Sequence, residues 1–307
     1  MFGKKLAVDL INRSAENEAD RRRFLTSAGL AGAGVVGATA LGTSPAAAQH
    51  KGPSDAAILN FALNLEYLEA EFYSFAVTGH GIDESLRTGK GDRGGVVGGH
   101  KVDFKSKSVR QYAREIATDE IDHVRFLRSA LGSAKVAHPK INLKGSFTAA
   151  AQAAGLIGPK QTFDPFANET NFLLGAFIFE DVGVTAYKGA APLINNDTWL
   201  EAAAGILAVE AYHAAIIRTV LYSRGLQKEA RAISNARDSL DGKANLDQGI
   251  GTKDRANLVP TDDLGLAFSR TAGQVLNIAY LTPESVNKGG FFPKGVNGPI
   301  HTSADKA

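Results

Sequence analysis

Apolar residues recur at the i, i+3, i+4 and i+7 spacing of an amphipathic helix in four long segments of the chain. The segments cover about residues 54–78, 106–131, 168–191 and 197–224. Ser54 stands where an N-cap is expected, and Gly79 and Gly132 follow the first two segments as stop signals. The pattern therefore predicts four helices, each of more than twenty residues.

The connections between these helices differ in length. A glycine-rich loop over 79–105 joins the first two, and a short turn at 192–197 joins the last two. The passage between them, 133–167, is long and contains a strand-like piece at 136–143 and a short alanine-rich helical turn. Two helical hairpins joined by a long crossover predict an all-α four-helix bundle.

The chain changes character after Gly225. A polar helix is expected over 227–240, and the tetrad from Thr271 to Gln274 is typical of a capping box that opens a short helix ending near Tyr280. The last loop carries Phe291 and Phe292. We expect residues 49–225 to form the bundle and 226–307 to form a partly helical C-terminal extension that packs on it.

Residues 1–48 have the charged, apolar and small-residue regions of a secretory signal, in that order. An arginine pair followed by Phe-Leu resembles the twin-arginine signal of proteins exported already folded. The residues that carry this interpretation are Arg21, Arg22, Phe24, Leu25, Ala46 and Ala48. We expect export through the twin-arginine (Tat) machinery to the periplasm or cell exterior, and a retained anchor or an accidental apolar helix is the alternative.

Composition restricts the chemistry. The chain has no cysteine, so any metal ion must be held by His, Asp or Glu. Beyond residue 48, basic and acidic side chains are equal in number. This balance argues against nucleic acid as a partner.

Two Glu-x-x-His motifs lie in the middle of the second and fourth helices. Glu120 precedes His123, and Glu210 precedes His213, by three residues. This spacing places both side chains of a motif on one face of a helix, so that both can point at one ion. A single such motif is weak evidence, because it occurs by chance on many exposed helices.

The first and third helices supply one more carboxylate each. Glu180 lies in an almost wholly apolar helix, where burial is costly unless a metal or partner neutralises the charge. Tyr187 follows it by seven residues, and Tyr73 follows Glu66 at the same spacing. This repetition selects Glu66 over its neighbours, and each phenol is expected to hydrogen-bond a ligand carboxylate.

Four glutamates and two neutral histidines balance the charge of two divalent ions. They also match the ligand set of di-iron and di-manganese bundles. We therefore predict two iron or manganese ions, held by Glu66, Glu120, His123, Glu180, Glu210 and His213.

Three segments carry a family resemblance: Asn64 to Phe72, Ala267 to Thr271, and Gly290 to Pro293. With the ligand pattern, they make the chain similar to the ferritin-like superfamily, in particular to the plant desiccation-related branch and its bacterial relatives. The resemblance implies that Asp119 accepts the N–H of His213. Val209 occupies the matching position of the fourth helix, so His123 is expected to be oriented by other groups.

The functional expectation is oxidation chemistry with a small oxidant, ferroxidase-like or peroxide-consuming, in stress protection. The rival is a non-enzymatic stress or envelope protein whose metal site is structural or vestigial. Iron storage in a shell is disfavoured by the long loops, and assembly into a homo-oligomer is left open. Two further expectations are a packing role for Tyr212 in the core, and surface or packing roles for loop histidines such as His138.

Overall fold

The computed structural model describes residues 52–305. The expected signal of residues 1–48 lies outside this range. Seven α-helices are found in the described part of the chain: α1 (Asp55–Thr78), α2 (Lys107–Leu131), α3 (Gly145–Ala153), α4 (Glu169–Ala190), α5 (Asp197–Ser223), α6 (Gln227–Asp238) and α7 (Ala272–Tyr280). A two-residue strand β1 (Val96–Val97) pairs in parallel with β2 (Ile141–Asn142).

The expected all-α bundle with a long crossover is confirmed. Helix α1 packs mainly on α2, and α4 mainly on α5, so the two hairpins are joined by the passage that holds β2 and α3. Of the helices described, α5 is the one long and apolar enough to cross a membrane. Its pairing with α4 and its buried Glu210 and His213 are those of a bundle helix.

Polar caps define the helix ends. The side chains of Ser54, Ser106, Asn168 and Asn196 each accept a backbone N–H two or three residues into the helix that follows. Gly79 ends α1 at φ 88°, a left-handed conformation that favours glycine.

Two secondary-structure elements are shorter than the sequence predicted. In the piece 136–143 only Ile141–Asn142 forms a strand, because its partner is the irregular glycine-rich loop, which offers two paired residues and the single bridge from Lys90 to Val136. The polar helix ends at Asp238, not at residue 240. There the Leu240 N–H bonds to the Arg237 carbonyl three residues back, in a tighter turn.

Aromatic rings fill the end of the bundle that holds the second half of α1. Phe72 stacks on Phe172 with 5.4 Å between ring centroids, and Phe147 of the crossover meets Phe72 at 5.4 Å. Phe291 of the extension lies 5.0 Å from both Phe147 and Phe179 and is fully buried. The bundle, crossover and extension therefore share one hydrophobic core.

A buried chain of ion pairs fixes the extension to α4 and α5. Asp181 of α4 accepts from Arg218 of α5 at 2.7 Å and from Arg237 of α6 at 2.9 Å. Arg237 also pairs with Asp247, which in turn pairs with Arg270. These groups are almost fully removed from solvent, so each charge depends on its partners for compensation.

Replacing one member of this chain should therefore destabilise the fold strongly. Asp247→Ala leaves Arg237 and Arg270 short of an anionic partner in the interior. We expect a loss of about 3–5 kcal/mol in the free energy of unfolding, measured by urea denaturation.

The matched control is Asp254→Ala, which removes an exposed aspartate paired with Lys253. Its effect should stay below about 1 kcal/mol. Equal effects of the two substitutions would contradict the anchoring role of the buried chain.

Candidate metal centre

Four glutamates converge at the middle of the bundle, one from each long helix. Glu66, Glu120, Glu180 and Glu210 are each at most 1% exposed. Two histidines join them, one turn after the glutamates of α2 and α5. The helices bring the six residues together because each stands on the face that α1, α2, α4 and α5 turn inward.

Two groups of these residues place their ligand atoms within 4.8 Å of one another. The first group is Glu66, Glu120, His123 and Glu210, and the second is Glu120, Glu180 and His213. Glu120 belongs to both. Each group offers the carboxylate oxygens and imidazole nitrogen that suit a divalent transition metal, so the cluster has the form of two adjacent ion sites joined by one carboxylate.

The two histidines turn the same ring nitrogen towards the carboxylates. His213 Nδ1 lies 3.0 Å from Glu120 Oε1 and 3.5 Å from Glu180 Oε2. His123 Nδ1 lies 3.2 Å from Glu66 Oε2 and 3.6 Å from Glu120 Oε2. In both rings, Nδ1 is therefore the nitrogen available to an ion.

The second ring nitrogen, Nε2, has different surroundings in the two histidines. His213 Nε2 lies 3.1 Å from the Asp119 carboxylate, across the bundle. With Asp119 as acceptor, the proton of the neutral ring resides on Nε2 and the Nδ1 lone pair is free for a ligand. On α5 the matching residue is Val209, which has no acceptor, and the described contacts of His123 are those of its Nδ1.

Two tyrosines brace the centre from opposite hairpins. Tyr73 of α1 donates its hydroxyl to Glu180 of α4, and Tyr187 of α4 donates to Glu66 of α1. Both phenols are buried. Each glutamate is thus held by the tyrosine of the other helix, whereas the sequence did not indicate which carboxylate each phenol meets.

In the metal-free protein, burial and the neighbouring charges shift the pKa values of the clustered histidines and glutamates. Burial alone would lower the pKa of His213, but the carboxylates of Glu120 and Glu180 outweigh it and raise that pKa to about 12. The pKa of His123 rises to about 10, since Glu66 and Glu120 likewise outweigh burial. Burial, with the neighbouring carboxylates, raises the pKa of Glu210 well above its usual range. The metal-free centre therefore holds protons that ion binding would displace.

Even so, six buried polar atoms of the centre have no hydrogen-bond partner. They are both carboxylate oxygens of Glu120, both of Glu210, Glu180 Oε2 and His213 Nδ1. Buried polar atoms are nearly always paired, and an unpaired one is costly. All six are potential metal donors, so the donor set fits two cations better than it fits any partner within the protein.

Two residues at the centre lie outside the predicted set: Glu69, which was set aside when the spacing favoured Glu66, and Gly183. Glu69 is also buried, and its position three residues after Glu66, on the same helical face, was the available signal. Gly183, three residues after Glu180, makes room for Glu210, because a Cβ there would overlap the Glu210 Oε2. No sequence pattern marks that contact, which joins two different helices.

The sequence predicted a core position for Tyr212 and a surface or packing role for His138. Tyr212 was expected in the core and is 70% exposed, so that expectation is wrong. It directly precedes His213, and a helical neighbour points about 100° away from an inward-facing residue. His138 packs in the interior, where its Nε2 lies 3.1 Å from Glu71 Oε1, remote from the six clustered residues.

Comparisons with known proteins agree with this architecture. The sequence model of the ferritin-like domain matches residues 54–223. The chain is 33% identical over 265 residues to the desiccation-related protein PCC13-62 of Craterostigma plantagineum, covering 80% of this chain and 83% of that protein. It is 27% identical over 269 residues to the ferritin-like catalase Nec2 of Nesocodon mauritianus, covering 80% and 85%.

The contact of Gly183 with Glu210 can be tested by stability. Gly183→Ala should displace the Glu210 carboxylate and lower the free energy of unfolding by about 1–3 kcal/mol, although alanine favours the helix. Gly205→Ala is the control, because a Cβ at this exposed helical position meets nothing within 4 Å. It should stabilise the protein by about 0.5–1 kcal/mol in the same urea denaturation. Equal stabilisation by both would show that Glu210 is not confined.

Proposed function

The chain belongs to the ferritin-like family, and we propose that it is an exported dinuclear metalloprotein that disproportionates hydrogen peroxide. The proposed ligands are the six predicted from the sequence, Glu66, Glu120, His123, Glu180, Glu210 and His213. One observation carries the proposal: these side chains converge in the interior and leave six buried donor atoms without a hydrogen bond.

The charge of the centre suits two divalent ions. Four ligand carboxylates and two neutral imidazoles supply four negative charges, which two iron or manganese ions neutralise. One ion is proposed in the group around Glu66, His123 and Glu210, the other in the group around Glu180 and His213, with Glu120 shared. Redox-silent zinc would meet the charge requirement but not the proposed reaction.

When bound, a pair of iron or manganese ions supplies the electron transfers by which one peroxide molecule is reduced to water and another is oxidised to oxygen. The protein supplies position and protons. Tyr73 and Tyr187 hold Glu180 and Glu66 in place, and Asp119 fixes the ring of His213. The side chain of His123 is 10% exposed, which makes it the most solvent-accessible of the six proposed ligands.

The relatives support a role in stress. One curated relative is named a catalase and the other a desiccation-related protein. Peroxide removal is the activity that fits both names, with the non-enzymatic envelope protein as the rival. Export is proposed from the sequence of residues 1–48 alone, through twin arginines Arg21 and Arg22.

Metal content is the primary test. Protein purified without chelator should contain about two iron or manganese ions per chain, measured by elemental analysis. The double variant Glu180→Ala/His213→Ala should lose at least one of them. The control Glu115→Ala/His100→Ala removes the same two residue types from exposed positions and should retain both ions. Equal metal in all three proteins would contradict the ligand assignment.

Peroxide turnover is the functional test. The loaded protein should release one oxygen molecule for every two peroxide molecules consumed, followed with an oxygen electrode, and the ligand variant should not. Two bound ions without oxygen release would favour the non-enzymatic rival. Oxygen uptake on addition of Fe(II), without peroxide turnover, would favour a ferroxidase.

Ion binding should release protons. The pKa values of about 10 for His123 and about 12 for His213 mean that both rings are protonated at pH 7 in the metal-free protein. Both must lose the Nδ1 proton to bind an ion, so loading should release about two protons or more per chain. Calorimetric titration with Mn²⁺ in buffers of different ionisation enthalpy measures this number. Affinity should rise with pH, and a pH-independent affinity would contradict the assignment of the imidazoles.

A further inference from the structure

Glu69 is a fifth glutamate beside the centre, and the ligand set does not use it. It is 6% exposed, and among residues 52–305 its carboxyl forms no hydrogen bond or ion pair. A buried carboxyl without a partner is strongly unfavourable. By contrast, Glu71, two residues further along α1, is buried with Arg87 and His138 as partners.

The surroundings of Glu69 place it next to the ion-binding space. It lines a cavity of about 30 Å³, large enough for one water molecule, that α7 and Phe291 close. Gly183 lines the same cavity, and its missing side chain is what accommodates the Glu210 carboxylate. Gly183 is therefore a common neighbour of Glu69 and Glu210, although the Glu69 oxygens lie outside the two groups of clustered ligand atoms.

The internal repeat of the two hairpins singles out the same position. Glu66 corresponds to Glu180, and Tyr73 corresponds to Tyr187. By this correspondence Glu69 matches Gly183, so one hairpin carries a carboxylate where the other carries no side chain. The two halves of the centre are thus unequal in charge.

The charges of the proposed ligands act on the Glu69 carboxyl. Burial raises its pKa well above the usual range, and the charges of Glu120, Glu180 and Glu66 raise it further. In turn, the charge of Glu69 is the largest that raises the pKa of Glu210, after burial. A carboxyl so placed is neutralised either by a proton or by a cation between these groups.

Resting on the dinuclear function above, we propose that Glu69 is a fifth carboxylate of the centre, binding the ion held by Glu66, His123 and Glu210. Five carboxylates with two divalent ions leave one negative charge. The same five carboxylates neutralise one divalent and one trivalent ion completely. Glu69 therefore biases the centre towards a state in which the ion on its own side carries the higher charge.

The test uses Glu69→Gln, which keeps the shape of the side chain and removes its charge. With Mn²⁺ alone as the probe, competition with a chelator at pH 7 should show one of the two ions bound roughly ten- to a hundredfold more weakly. Both dissociation constants within twofold of the wild type would overturn the proposal.

Glu71→Gln is the matched control, since it changes a buried glutamate of the same helix. It should lower the melting temperature, because Arg87 loses its anionic partner, and leave both Mn²⁺ affinities unchanged. Glu69→Asp keeps the charge on a shorter side chain and serves if Glu69→Gln fails to fold. A Mn²⁺ affinity of Glu69→Asp below that of the wild type supports the proposal, and an equal affinity overturns it.

Failure of the two proposals can be distinguished. If the wild type binds no Mn²⁺, the dinuclear function is wrong. If it binds two ions and Glu69→Gln binds both equally well, the function stands and only the role of Glu69 is wrong.

Discussion

The burial of like charges is the constraint on which this structure depends. Five buried glutamates lie in or beside the centre, where their mutual repulsion and loss of hydration oppose folding. Two histidines and two phenols compensate part of this, and six donor atoms remain without a hydrogen bond. The long helices hold these groups together against their repulsion, and bound cations would remove the remaining penalty.

A second set of buried charges consists of ion pairs of alternating sign instead of like charges. The chain from Asp181 through Arg237 and Asp247 to Arg270 alternates in sign, so each of its charges pairs with an opposite charge of the protein. It joins α4 to the extension, which closes the bundle over α4. The contrast separates a structural network, in which opposite charges alternate, from a candidate binding site, in which carboxylates outnumber the histidines that pair with them.

The sequence was sufficient for the elements that follow local rules. Helices α1, α2, α4 and α5 have strong caps and long apolar faces, so their existence and limits were predictable. The convergence of six ligand candidates followed from their position in mid-helix. Exposed Tyr212, the Gly183–Glu210 contact and the pairing of Asp247 with Arg270 could not be predicted, because each depends on the rotation and approach of elements distant in sequence.

The crossed tyrosines have a consequence for how the protein forms. Since Tyr73 reaches Glu180, and Tyr187 reaches Glu66, neither hairpin can complete its own half of the centre. His213, the last of the six, lies more than ninety residues after Glu120. A nascent chain that has not yet emerged beyond α5 therefore has no complete pair of ion sites. Ion capture would therefore report that both hairpins have folded and docked on each other.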